Sequence, residues 1–191
     1  MRFELIDKYK GQEDLLPMRA TEGSAGYDFK VAEDIIVPSY DNLMFGLISN
    51  TLSIETVSEM IGGDINEISK PLTLEQVASV TKISKAKPTL VPTGIKCNMP
   101  ADKYLQLSMR SSLPLKHWLV LANGVGIIDS DYYGNPDNDG HIFFQVINLS
   151  PWDIQLKRGD KIGQGIILPY YVTNDDTAAG RRIGGFGSTS R

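Results

Sequence analysis

The chain has 191 residues, 41% hydrophobic and 22% charged, as expected for a globular protein with one core or one domain carrying an insertion. Its formal net charge of −4 excludes a broadly basic surface for nucleic acid or for anionic membranes. The single cysteine, Cys97, excludes an intrachain disulfide. One cysteine and two histidines, His117 and His141, cannot supply a typical structural zinc site.

Short runs rich in β-branched and aromatic residues predict β-strands along most of the chain, because each run is bounded by Gly, Pro, Asn or Asp. In chain order they are MRFELI, EDIIVP, PTLVPTGIKCNMP, KYLQLSMR, WLVLA, GHIFFQVINL, WDIQLK and KIGQGIILPYYV. No helical pattern alternates with these runs. They therefore predict a mainly β protein, a sandwich or a barrel.

Residues 41–87 are the exception, since their apolar spacing is helical. SIETVSEMIGG puts Ile54, Val57 and Ile61 on one helical face. In PLTLEQVASVTKI, Thr73 is a candidate N-cap with a glutamine three residues later, which resembles a capping box. We therefore expect a small helical insertion of about 45 residues, near the lower size limit for independent folding.

Five stretches carry side chains that suit chemistry on a phosphorylated ligand. They are SAGYDF (24–29), RSSLPLK (110–116), NGVGIIDSDYYGN (123–135), RGDKIGQGIIL (158–168) and RRIGGFGSTSR (181–191). Arginine forks, hydroxyls and closely approaching glycine backbone are donors for phosphate oxygens. Each stretch taken alone has an ordinary interpretation as well, as a surface turn, a strand start or a frayed terminus.

The third stretch contains two carboxylates, Asp129 and Asp131, which would share one face of a strand. A carboxylate held rigidly at the end of a strand suits a general base that accepts a proton from water. The same letters are also typical of a turn rich in Asp, Asn and Gly, so the stretch alone leaves both interpretations open.

Taken in this order, the five stretches resemble the five motifs of the trimeric deoxyuridine triphosphatases (dUTPases). The family patterns are of the type AGYDL, RSSL, GVIDxDYxG, GDRIAQ and RGxGGFGSTG, and the resemblance covers about residues 1–38 and 88–191. It implies a jelly-roll (β-clip) sandwich, a homotrimer with shared active sites, and Mg²⁺-dependent hydrolysis of dUTP to dUMP and pyrophosphate. The chain would divide into a β domain (1–40 plus 88–178), the helical insertion (41–87) and a mobile, nucleotide-closing arm (179–191).

The resemblance also implies roles for individual residues. Asp129 would activate the attacking water at the α-phosphorus, Tyr132 would pack on the deoxyribose, and Asp28 would face a hydrated Mg²⁺. Uracil would be read by Asn123 and by backbone at Gly126, Ile127 and Ile128. Phosphate contacts would come from Arg110, Ser111, Ser112 and Gln164, and the arm would contribute Arg181, Phe186, Gly187, Ser188 and Thr189.

This chain departs from the family pattern in places. Arg182 stands where the last motif usually has glycine, and Ser190 stands at another glycine position. The segment GNPDNDGH lengthens the loop after Tyr132. We expect His117 and His141 to be structural, since no motif places either of them in the site.

Two alternatives stay open. One is a dCTP deaminase of the same fold, which Gln145 disfavours because it stands where that family uses a proton-shuttling glutamate. The other is a nucleotide-responsive binding or regulatory protein that acts through the insertion, for which a protein partner is expected. The N-terminus lacks an apolar leader and no long apolar run occurs, so we expect no membrane association and a cytoplasmic location, bacterial or in a host cell if viral.

Overall fold

The structure is a computed structural model, which describes residues 1–40, 87–180, 182, 184 and 185. The predicted insertion lies outside the described residues except for Lys87, and so does most of the predicted arm. Within the described ranges, no helix is long and apolar enough to cross a bilayer.

Every run that predicted a strand contains one. The strands are β1 (Arg2–Leu5), β2 (Tyr27–Lys30), β3 (Ile35–Val37), β4 (Thr89–Pro92), β5 (Ile95–Asn98), β6 (Lys103–Met109), β7 (Leu119–Leu121), β8 (Gly126–Asp129), β9 (Phe143–Asn148), β10 (Ile154–Leu156) and β11 (Lys161–Pro169). Helix α1 (Ser112–His117) and 3₁₀ turns at Asp7–Tyr9, Glu13–Leu15 and Ser130–Tyr132 complete the described elements. The mainly β prediction is confirmed.

The strands form antiparallel sheets. One sheet has the order β2-β11-β6-β8 and another β4-β9-β7, while β1 pairs with β5 and β3 with β10. Phe29 of β2 and Phe144 of β9 meet with their ring centroids 5.8 Å apart, so the four- and three-stranded sheets share one core. At Gly163 of β11, an added Cβ would lie 2.2 Å from a Phe144 ring carbon, which shows how closely the two sheets approach.

The sequence did not predict helix α1, because the helix has only six residues and one of them is a proline. Pro114 lies in the first turn, where a missing N–H costs no helical hydrogen bond. The helix ends at His117 and is capped by Trp118, whose φ of 55° is left-handed and whose N–H donates to the carbonyl of Leu113. Strand β7 therefore starts at Leu119, one residue later than its sequence run.

The two ends of the segment 41–86 leave the β body beside the same strand. Ser39 bridges Asn148 of β9, and Thr89 at the start of β4 pairs with Val146 two residues earlier on β9. Asn148 is buried and donates through Nδ2 to the carbonyls of Val37 (3.0 Å) and Trp152 (2.8 Å). The residues on both sides of this segment are thus held against β9.

Candidate active site

Strand β8 and the turns on either side of it border a cavity of about 300 Å³, which we call the β8 cavity. Its lining consists of Leu107, Leu121, Asn123, Gly126, Ile127, Ile128, Asp129, Tyr132, His141, Phe143, Gln145 and Arg182. All the residues to which the sequence assigned base reading, sugar packing or water activation are in this set. The structure therefore brings these residues together within one chain.

A tight turn leads into β8 and fixes its start. Gly124 has φ 67° and donates to the carbonyl of Leu121 at 3.1 Å, while the N–H of Val125 donates to the carbonyl of Asn123 at 2.7 Å. Gly126 follows, and an added Cβ there would lie 3.1 Å from Cβ of Leu107 on the neighbouring strand. The backbone is therefore rigid where a flat ligand would meet it.

Asp129 ends β8, paired in register with Tyr104 of β6, and begins the 3₁₀ turn Ser130–Tyr132. Its side chain is about half exposed and also borders a second, more open cavity of about 610 Å³. The backbone of Asp129 is thus held by the sheet while its side chain borders both cavities.

Arg182 spans both acidic residues of the turn. Its guanidinium donates to Asp129 and, from Nε at 2.7 Å, to Asp131, and it lies 5.9 Å from the centre of the Tyr132 ring. Burial lowers the pKa of Arg182, but the bond to Asp131 and the two negative charges outweigh it and raise the pKa above its usual value. From its departure from the motif glycine, Arg182 was expected to shift the path of the arm or to add a phosphate donor, but it was not assigned to the site.

Tyr132, the last residue of the 3₁₀ turn, is buried. Its hydroxyl accepts from Nδ2 of Asn138 at 2.7 Å and lies 3.2 Å from the carbonyl of His141, to which it donates. Burial raises the pKa of Tyr132. An added Cβ at Gly185 would lie 3.1 Å from the Tyr132 ring, so Gly185 lies against this ring in the same chain.

His141 was expected to be structural, and it is both buried and part of the cavity lining. Its Nε2 accepts from the N–H of Gly94 at 2.9 Å, and its ring centroid lies 3.9 Å from that of Phe143. Burial, helped by the nearby charge of Lys8, lowers the pKa of His141 to about 4. The ring is therefore neutral near pH 7 and acts as a hydrogen-bond acceptor.

The residues assigned to phosphate and metal form a second group, at the other end of β6. Gln164 of β11 pairs with Asp28 of β2 on one side and with Ser108 of β6 on the other. The backbone N–H of Arg110 donates to the carbonyl of Ile162 on β11, 3.3 Å away. We call Asp28, Arg110, Ser111, Ser112 and Gln164 the phosphate-motif cluster.

Within one chain, this cluster lies far from Asp129. On β6, Tyr104 pairs with Asp129 whereas Ser108 pairs with Gln164, four residues further along. At the rise of a β-strand, four residues correspond to about 13 Å. Asp129 therefore lies at the opposite end of β6 from the residues paired with Gln164, whereas Gly126 pairs with Leu107, next to Ser108.

The sequence pattern of the dUTPase family matches residues 76–190, which is more than half of the chain. This chain belongs to the dUTPase family. The deoxyuridine 5'-triphosphate nucleotidohydrolase of Lactococcus lactis subsp. lactis is 35% identical over 189 residues, 98% of this chain and 95% of that protein. The corresponding protein of Laribacter hongkongensis is 38% identical over 117 residues, covering 58% of this chain and 74% of that protein.

Solved dUTPase structures share the fold. A dUTPase from Streptococcus mutans is 33% identical, with a TM-score of 0.65 over 91% of this chain and 99% of that one. A dUTPase from phage phi11 of S. aureus, in which a species-specific insert was visualised, is 15% identical with a TM-score of 0.54 over 98% and 97%. At that identity the likeness concerns the fold alone. These neighbours confirm the jelly-roll prediction.

Asp28 is the carboxylate to which the resemblance assigned a metal. Among the described residues, no group of three or more His, Cys, Asp or Glu side chains could hold an ion by itself. Asp28 was predicted to face a hydrated Mg²⁺, and its Oδ2 accepts from Nζ of Lys161 at 2.6 Å. Mg²⁺ keeps several waters and binds phosphate oxygens, so a single carboxylate reached through water fits it.

The arm residues assigned by resemblance lie outside the described residues. They are Arg181, Phe186, Gly187, Ser188 and Thr189. Their roles therefore stay predictions.

Proposed function

We propose that this chain is a dUTP diphosphatase, in which a water activated by Asp129 attacks the α-phosphorus of dUTP and releases dUMP and pyrophosphate. Family membership supports hydrolysis of dUTP to dUMP. The observation that carries the residue-level proposal is the β8 cavity, which places Asn123, Asp129 and Tyr132 around one space of about 300 Å³.

Asp129 is suited to the role of general base. In the attack, the water oxygen bonds to the α-phosphorus, the bond from that phosphorus to the bridging oxygen breaks, and the water proton passes to the carboxylate. A positioned base of this kind contributes about 10²–10⁴-fold. Oδ2 of this carboxylate accepts from Arg182, so a water that uses this oxygen would have to displace the guanidinium.

The end of the cavity at Asn123 suits uracil. A side-chain amide next to rigid backbone at Gly126 can match the alternating donors and acceptors of the uracil edge. Cytosine presents a different pattern and would leave buried polar groups unpaired. Gln145 lines the same cavity, and because an amide cannot shuttle a proton, its presence supports hydrolysis over deamination.

The sugar is assigned to Tyr132. Its ring lies beside Asp129 in the lining, so a ring packed on the deoxyribose would occupy the space of a 2′-hydroxyl. We therefore expect UTP to be rejected on steric grounds.

The phosphates are assigned to the phosphate-motif cluster of a neighbouring copy. Within one chain that cluster lies about 13 Å along β6 from Asp129, which is too far for direct action on one α-phosphate. A homotrimer with shared sites would bring the β8 cavity of one chain to the cluster of another. Mg²⁺ bound to the phosphates would neutralise their charge, and Asp28 would hold one of its waters.

The arm would close the site. By resemblance, Phe186 would stack on the base and Arg181 would reach the terminal phosphate, with Gly187, Ser188 and Thr189 along the phosphates. Since Gly185 already lies against Tyr132, the described part of the arm supports this placement. Residues 41–87 would then be an insertion separate from the catalytic β domain.

A pyrophosphate-release assay across dUTP, UTP, dTTP and dCTP tests the proposal. We expect activity on dUTP alone, with Asp129→Asn lowering kcat by about 10²–10⁴-fold. Asp131→Asn is the matched control, because it removes the neighbouring carboxylate that also binds Arg182 and should stay within about tenfold of the parent. Comparable hydrolysis of UTP, ammonia from dCTP, or a larger loss in the control would contradict the assignment.

Subunit mixing tests the shared site. Asp129→Asn and Arg110→Ala chains are each expected to be inactive, but mixed trimers would contain some sites with an intact residue of each kind. Recovered activity after co-refolding supports a site shared between chains, whereas no recovery would place both residues in the same chain's site.

A further inference from the structure

The loop of residues 134–140, GNPDNDG, is not used by the proposed chemistry, and it lies directly behind Tyr132. The hydroxyl of Tyr132 receives a hydrogen bond from Nδ2 of Asn138 at 2.7 Å and gives one to the carbonyl of His141 at 3.2 Å. The phenol group therefore accepts a hydrogen bond from the loop, through Asn138, and donates one to the residue that follows the loop, His141.

The loop itself is held by internal bonds. The N–H of Asp139 donates to the carbonyl of Asn135 at 2.7 Å, the N–H of Gly140 to Oδ1 of Asn138 at 3.1 Å, and the N–H of His141 to the carbonyl of Asn138 at 3.0 Å. Asn138 thus has little freedom to leave the Tyr132 hydroxyl.

Two further contacts fix the loop to the body. Gly140 has φ 77°, and an added Cβ would lie 2.6 Å from the carbonyl oxygen of Tyr132. The carboxylate of Asp139 receives hydrogen bonds at 2.8 and 2.9 Å from Nζ of Lys96, on β5. The loop is therefore attached to a strand on one side and closely packed against Tyr132 on the other.

We propose that Asn138 is a positioning residue for sugar selection, which holds the Tyr132 ring in place so that a 2′-hydroxyl is rejected. The inference rests on the proposed packing of Tyr132 against the deoxyribose. An apolar wall rejects an added hydroxyl only modestly, and a wall that can shift rejects it less. Two hydrogen bonds at the far end of the ring remove that freedom.

The test is the ratio of kcat/KM for dUTP to kcat/KM for UTP. Asn138→Ala is expected to lower this ratio about five- to tenfold, the effect of one net hydrogen bond, mainly through faster turnover of UTP. Asp137→Ala is the control, because its exposed side chain lies in the same loop and the ratio should stay at the parent value.

A double-mutant cycle separates positioning from a general loosening of the loop. In a Tyr132→Phe background the hydroxyl is gone, so Asn138→Ala should have no further effect on the ratio. An unchanged ratio in a folded Asn138→Ala protein, or an equal drop in both backgrounds, would overturn the inference. If Asn138→Ala does not fold, Tyr132→Phe alone gives the comparison, and an unchanged ratio there overturns it as well.

Failure of the proposed function has a different signature. A parent enzyme that does not prefer dUTP to UTP contradicts the assignment of Tyr132, whatever Asn138 does. A parent with a clear preference that survives Asn138→Ala contradicts only the positioning role.

Discussion

Replacing His141 by glutamine should remove a specific acid sensitivity of the fold. The imidazole is buried, its Nε2 accepts from the N–H of Gly94, and burial keeps its pKa at about 4 instead of 6.5. Of the charged groups that influence it, Lys8 lowers this pKa and Glu33 raises it. Glutamine can offer an oxygen to the same N–H without gaining a proton in this pH range.

The sign follows from which state binds more protons. Between pH 6.5 and about 4 the unfolded chain carries a proton on His141 and the folded chain does not, so stability falls as the pH is lowered. Each pKa unit corresponds to about 1.4 kcal/mol, so the complete loss below pH 4 is about 3 kcal/mol. Most of it, about 2 kcal/mol, is expected between pH 7.5 and pH 5.

Urea unfolding at one protomer concentration, at pH 7.5 and pH 5, measures this loss. Carboxylates contribute their own pH dependence, but equally in both proteins, so the informative quantity is the difference between them. We expect the parent to lose about 2 kcal/mol more than His141→Gln over this interval. Equal losses would mean that His141 titrates normally in the folded chain and that its burial does not exclude the proton.

Two other substitutions test packing and the arm. Gly163→Ala would place a methyl group 2.2 Å from Phe144, so we expect a loss of about 1–3 kcal/mol in thermal unfolding; an unchanged Tm would show that the two sheets can separate at little cost. Arg182→Gly removes two partly exposed ion pairs, with Asp129 and Asp131, which would compete with a nucleotide that uses these carboxylate oxygens. Because such pairs are each worth up to about 1 kcal/mol, losing both corresponds to at most about 2 kcal/mol, and calorimetry should show a non-hydrolysable dUTP analogue binding up to about 30-fold more tightly. Weaker binding would mean that Arg182 contacts the phosphates instead.

The sequence predicted the β body well because its signals are local. Alternation and β-branched runs bounded by Gly, Pro, Asn and Asp identify strands whichever partners they find, and each such run contains a strand. Helix α1 was missed because a six-residue helix has too little periodicity to register, and Pro114 argues against it unless its place in the first turn is known.

The sequence predicted which residues belong to the candidate site better than it predicted how they are arranged. Motif order identified Asn123, Asp129 and Tyr132, and the cavity brings them together. No local pattern could show that Arg182 bridges Asp129 and Asp131, because that contact joins residues about fifty positions apart and depends on the path of the arm.

Contacts made by backbone atoms could not be predicted from the sequence either. The Tyr132 hydroxyl bonds to the carbonyl of His141, and a carbonyl has no sequence signature. His141 was expected to be structural, which its bond to Gly94 supports, but its position in the cavity lining follows only from how the lengthened loop folds back.

The residues on both sides of segment 41–86 lie beside β9, and this has a consequence for how the sequence of the enzyme can vary. Ser39 and Thr89 are held beside the same strand, so a link between them has little distance to cover. The entropy of closing a loop grows only with the logarithm of its length, so tens of residues can be gained or lost between these two points at a cost of about 1 kcal/mol or so. Segments can therefore be inserted or removed at this point of the chain while the candidate site residues on β6 and β8 are left as they are.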